Sequence, residues 1–144
     1  LVLKRNKHIM LFANELDENA KKSLVALMVK MSLVDGIVEA ETTLINQMAS
    51  SLNLDVAEIY QFSNNSTINE LCQAFTDRRS QVCLVIDLVN IACVDDDYTT
   101  SERAQIKEVC EYIGLSDSLF SDIETWVESG ITWKKKGLEL FGES

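Results

Sequence analysis

The sequence predicts an all-α fold, a compact bundle of about seven or eight helices, on three observations. The chain holds no proline and only five glycines in 144 residues, so little in it breaks a helix or punctuates a long loop. Its apolar residues recur at three- and four-residue steps. No stretch alternates apolar and polar side chains as a half-buried strand does, and the one Asp-Gly pair, Asp35-Gly36, has flanks with helical spacing. At this length and 47% apolar content, residues 1–144 form one domain with a real core rather than a disordered chain.

The elements follow in order. Residues 1–13 mix Leu1, Val2, Leu3, Ile9, Met10, Leu11 and Phe12 with Lys4, Arg5 and Lys7, a first helix or a partly ordered arm. Asp17 caps a helix of about 18–34, in which Leu24, Leu27, Met28 and Met31 share a face. An acidic link, Asp35-Gly36-Ile37-Val38-Glu39-Ala40-Glu41, leads into a helix of about 39–52, with Ile45, Met48 and Leu52 inward and Asn53 as its stop. Asp55 caps a short helix carrying Val56, Ile59 and Tyr60. Ser63-Asn64-Asn65-Ser66-Thr67 reads as the clearest loop. Thr67 with Glu70 forms a capping box ahead of Ile68, Leu71 and Cys72. A polar turn, Asp77-Arg78-Arg79-Ser80, then opens a long apolar helix with Val85, Ile86, Val89, Ala92 and Cys93 inward. Asp87 and Asn90 fall on the opposite face. A second acidic turn follows, Asp95-Asp96-Asp97-Tyr98-Thr99-Thr100-Ser101-Glu102. Thr99 or Thr100 caps the helix of about 101–113, and Gly114 ends it. Ser116 or Asp117 starts a last helix with Leu119, Phe120, Ile123, Trp126, Val127 and Trp133.

The chain resembles itself. A shift of sixty-one positions lays Leu27 on Leu88, Asp35 on Asp96, Glu41 on Glu102, Ile45 on Ile106 and Leu54 on Leu115. The pattern is an internal repeat of a helix–acidic turn–helix unit, over about 24–60 and 85–121.

Charge narrows the function. The chain is net −10 with a pI near 4.5. Residues 1–84 hold ten acidic and eight basic side chains, net −2, and residues 85–144 thirteen and five, net −8. Nucleic acid is therefore not the expected partner, because phosphate binding needs a basic surface. A cation or a basic protein partner is compatible, and a homodimer is among the options. No stretch reaches the roughly 18–20 apolar residues of a membrane helix, so membrane insertion is not expected. Residue 1 is Leu rather than Met, which leaves room for a native start upstream. Cys72, Cys83, Cys93 and Cys110 form no Cys-x-x-Cys pair, and His8 is the only histidine. That excludes a zinc cluster of ordinary spacing and reads as buried, reduced thiols in a cytoplasmic protein. The residues supply no nucleophile with its base, no glycine-rich phosphate loop and no histidine metal triad, so no enzymatic activity is expected.

The chemistry that remains lies in the acidic turns. Asp35, Glu39, Glu41, Asp95, Asp96, Asp97 and Glu102 form a candidate site for Ca²⁺ or Mg²⁺, hard cations that take carboxylate oxygens. Facing packing of the two units would gather them, and a cation would relieve their mutual repulsion. An EF-hand is excluded, since a loop begun at Asp95 puts Ile106 where the bidentate glutamate belongs. The alternative is that these residues only cap helices and fill first turns, where the helix dipole favours carboxylates. Trp126 and Trp133, seven apart and on one helix face, are core, a helix-packing edge or a partner site. Lys134-Lys135-Lys136 fits a helix C-terminus.

A helix, an acidic turn of the form D-[GD]-x-[VY]-[ST]-x-x-E, and a second helix ending at Gly-Leu resemble the TerB-like tellurite-resistance family. The stretch from Asp95 to Glu102, closed by Gly114-Leu115, fits that spacing. The Asp35–Glu41 turn has the Asp-Gly pair but is one residue shorter to its last glutamate, which leaves the direction of Glu41 open. The resemblance covers about 20–128, and a related domain forms the amino-terminal part of a membrane-anchored DnaJ-like co-chaperone, although no J-domain signature is present here. It implies an all-helical domain with pseudo-two-fold arrangement, a role in bacterial tellurite or other stress, a divalent cation at the acidic turns and no established reaction.

Overall fold

A computed structural model describes residues 11–34, 39–94 and 98–142. All regular structure among them is helical, as the sequence predicts. A single 3₁₀ turn, Ala13–Glu15, precedes α1 (Glu18–Val34), α2 (Glu39–Ser51), α3 (Val56–Asn64), α4 (Ile68–Cys72), α5 (Arg78–Val94), α6 (Thr100–Ile113) and α7 (Asp117–Leu140). No helix among the described residues is long and apolar enough to cross a membrane.

Two helices make the centre. In α1 every residue from Leu24 to Val29 is buried, and in α5 every residue from Cys83 to Asn90. A helix apolar on all sides has to be enclosed on all sides. α1 is covered by α2, α3, α4 and α5, and α5 by α6, α7, α1 and the 3₁₀ turn. α4 also packs on α6, joining the two halves. Asp87 and Asn90 therefore do not face outward as the pattern suggests. Both are buried, Asp87 completely, because α5 has neighbours on that side as well.

The helix ends are set by local chemistry. Asp17 Oδ1 accepts the Ala20 N–H at 2.8 Å, and Asp55 Oδ1 accepts the Ala57 N–H at 2.9 Å. Thr67 and Glu70 exchange both bonds of a capping box. The apparent loop at 63–67 begins two residues later than its composition suggests. Ser63 lies inside α3, is fully buried, and donates its hydroxyl to the Ala26 carbonyl of α1 at 2.9 Å.

Two helix ends sixty-one residues apart close in the same way. Asn53 has φ 58° and Gly114 φ 76°, each a left-handed residue that stops a helix. The following N–H reaches back in each case, Leu54 to Ala49 O at 2.8 Å and Leu115 to Cys110 O at 2.9 Å. This is the Schellman closure. The next caps, Asp55 and Ser116, stand at the same interval. α1 with α3 and α5 with α7 are correspondingly packed pairs.

Candidate functional site

Asp35, Asp95, Asp96 and Asp97 lie outside the described residues. Glu39 and Glu41 fall by backbone in the first turn of α2, and their side chains also lie outside the described set. Glu102 sits in the first turn of α6, half-buried. Its N–H donates to Thr99 Oγ1 at 3.0 Å, so Thr99 is the cap of α6. Among the described residues no group of three acidic, histidine or cysteine side chains is placed to hold a metal ion.

Where the second acidic turn re-enters the described chain, it is pinned. The Tyr98 hydroxyl donates to Glu124 Oε2 at 2.7 Å. Arg103 grips the same carboxylate with both arms, Nε to Oε2 at 2.8 Å and Nη2 to Oε1 at 2.9 Å. Its guanidinium also lies 5.1 Å from the centre of the Phe120 ring. Glu124 comes from the inner face of α7 and is buried. Burial pushes its carboxyl up, but the Arg103 and Tyr98 hydrogen bonds outweigh that and hold it below the ordinary carboxylate value. Burial, then the bond to Glu124, raises the Tyr98 phenol. Arg103 and Glu124 are twenty-one residues apart, so no local spacing announces the pair. Tyr98, the lone aromatic in an acidic turn, was the only signal of an anchor there.

A second buried carboxylate holds the start of the described chain. Asp87 Oδ1 accepts the Leu11 N–H at 2.7 Å. The nearby Phe12 and Ala13 N–H groups also favour its ionised form. Burial pushes this carboxyl up to about 6, against the pull of those backbone bonds. Asp87 thereby fixes the 3₁₀ turn on α5. Between that turn, the start of α1 and the start of α5 lies a groove of about 580 Å³. Leu16, Ala20, Val82 and Ile86 make its floor, and Arg78, Arg79 and Asp77 part of its rim. Arg79 is ion-paired with Glu15 across it, as a polar turn beside carboxylates should be.

The four cysteines are free and buried. Burial leads in pushing each thiol up, Cys72 and Cys93 to about 11 and Cys83 and Cys110 to about 12. At neutral pH they are thiols rather than thiolates, and so weak nucleophiles.

Both tryptophans of α7 are at the surface. Trp126 is 52% exposed and stacks on Phe12, centroids 6.1 Å apart. Trp133 is 78% exposed. α7 is a helix of two halves. Phe120, Ile123, Glu124 and Val127 are buried. Beyond Val127 only Ile131 and Gly137 are even half-buried, while Leu138, Leu140 and Phe141 are exposed. The three lysines stand one turn inside the helix end, which Leu140 forms.

No known family, curated protein or solved structure matches the chain.

Proposed function

We propose that this chain is a non-catalytic helical binding domain of the TerB-like type its turns resemble, and that it meets a protein partner through the outer face of α7. The observation that carries this reading is the outer half of α7 itself. Large apolar side chains at 126, 133, 138, 140 and 141 stand exposed along it and just beyond its end. Surface patches of several hundred Å² are rare on monomers unless they bind something, and tryptophan is the residue most concentrated at binding hot spots. A photo-crosslinking residue placed at 133 in the intact chain, in its native cell, should give a covalent product. The same residue at 58, where Glu58 is exposed on α3, should give none. Absence of any product at 133 would remove this reading.

A second reading keeps the acidic turns as a divalent-cation site, with Asp35, Glu39, Glu41, Asp95, Asp96, Asp97 and Glu102 as its ligands. What favours it is the anchoring of Tyr98 and Arg103 on buried Glu124. A buried carboxylate is held in place where the turn ends, and a site for a hard cation gains from a turn fixed in advance. Thermal unfolding tests it. Ca²⁺ or Mg²⁺ at millimolar concentration should raise the midpoint over EDTA at matched ionic strength, by mass action on the folded state. The Asp95, Asp96 and Asp97→Asn variant should lose that rise. A midpoint that follows ionic strength alone would leave the carboxylates as helix-end chemistry.

A further inference from the structure

We infer that the partner of the outer face of α7 is a second copy of this chain, packed antiparallel through a seam of alternating large residues and glycines. The inference rests on reading that face as a contact surface and is independent of the cation. Trp126, Gly130, Trp133, Gly137 and Leu140 follow one another at steps of four, three, four and three. At about 100° per residue they fall within an arc of roughly 80°. This is the spacing of a helix–helix seam. It points roughly a third of a turn away from the stripe of Phe120, Ile123, Glu124 and Val127 that faces the bundle.

The glycines are the informative members. Each costs a helix interior about 1 kcal/mol relative to alanine. A Cβ added at Gly130 or Gly137 would meet nothing within 4 Å. Nothing inside the single copy therefore asks for them, and what they provide is a notch in the outer surface. A two-fold axis beside residue 135 sets Trp133 of each copy against Gly137 of the other, and Leu140 against Gly130. Trp133 and Leu140 each meet a notch, and this stretch of the surface is complementary to itself, as an isologous interface must be. A lipid surface has no use for such notches.

The area is sufficient. Trp126, Trp133, Leu140 and Phe141, at 52, 78, 89 and 81% exposure, present roughly 600 Å² on aromatic and aliphatic areas of ordinary size. Two copies would bury up to roughly 1,200 Å², at the lower end of specific interfaces. Pairing would also support the helix. The thirteen residues from Glu128 to Leu140 are about the length at which an isolated helix is marginal in water.

Charge sets the salt dependence. Each copy is net −10, and Lys134 and Lys136 lie on the two flanks of the seam, close to their counterparts across the axis. Both terms oppose pairing, so salt should tighten it. Binding to an anionic lipid surface through the same lysines would weaken in salt.

The test is sedimentation equilibrium of the full chain over a wide concentration range at low and high salt. The expected result is a monomer–dimer equilibrium that strengthens with salt. Trp133→Ala should weaken it, and Gly137→Leu should lower the association constant by about tenfold or more. Gly137→Leu adds apolar surface and helix propensity, so a merely sticky face would associate more tightly. Its unfolding midpoint, not below that of the parent chain, will show that the loss is not misfolding. The exchange of both residues, Trp133→Gly with Gly137→Trp, should restore pairing. A chain monomeric at every concentration would overturn the inference, as would a Gly137→Leu dimer as tight as the parent. So would a monomer that binds phosphatidylglycerol vesicles through Trp133. A monomeric chain that still crosslinks another protein at 133 would sink the second copy but keep α7 as the contact face. No crosslink at 133 would sink both.

Discussion

At the scale of single residues, the two buried carboxylates have opposite pH signatures. The Glu124 carboxyl is held below its ordinary value by Arg103 and Tyr98 despite burial. Its contribution is present above the unfolded pKa and fades as pH falls through the folded one. Asp87 is raised by burial from 3.8 to about 6. Between those values the folded state binds more protons than the unfolded one, so its contribution falls as pH rises. Urea midpoints followed from pH 4 to 7 should therefore separate two variants. Relative to the parent chain, Asp87→Asn should gain as pH rises through about 6, and a difference flat in pH would show that Asp87 is not desolvated. Glu124→Ala strips the partners from a tyrosine and an arginine, and should cost about 2–4 kcal/mol at neutral pH. A loss under about 0.5 kcal/mol would mean that Arg103 finds water instead.

The element scale is where the sequence read best. Caps at Asp17, Asp55 and Thr67 and stops at Asn53 and Gly114 were legible, and the caps at Thr99 and Ser116 to within one residue, because each depends on a few adjacent residues and the backbone they terminate. The two stops yield a paired prediction. Asn53 holds φ 58° and Gly114 φ 76° in the same closure. Asn53→Gly should raise stability slightly, and Gly114→Ala should lower it by about 1 kcal/mol. Equal and negligible shifts in thermal midpoint would show that the closures do not hold these turns. Misread features were those whose partners lie far along the chain. Ser63 looks like a loop residue until Ala26 of α1 stands beside it. Asp87 looks like the polar side of α5 until the 3₁₀ turn covers it. The outer half of α7 carries its own expectation. Amides from 128 to 140 should exchange much faster than those from 120 to 127 in dilute solution, and slow as concentration rises if copies pair. Protection alike along the whole helix at low concentration would mean that the outer half is already covered.

At the scale of the whole molecule, two buried helices are wrapped by five others among the described residues, and the chain carries a net charge of −10. Like charges on a compact body oppose its compaction. Raising sodium chloride from about 10 to 150 mM, where the Debye length falls from about 30 to 8 Å, should therefore raise the unfolding midpoint. A midpoint that falls would mean that attractive pairs such as Arg79–Glu15 outweigh the repulsion.

The sequence by itself determined the fold class and most helix ends, because periodicity and capping are properties of neighbours along the chain. It named Trp126 and Trp133 without deciding whether they are core or surface, since a helical face has no direction until something packs on it. Only the tertiary structure decided that. It turned the first half of α7 inward on Phe120, Ile123, Glu124 and Val127 and carried the second half past the bundle. It also brought Tyr98, Arg103 and Glu124 together. The physical reason is the same in each case: burial and long-range hydrogen bonding depend on which surfaces meet, and the chain meets itself only once folded.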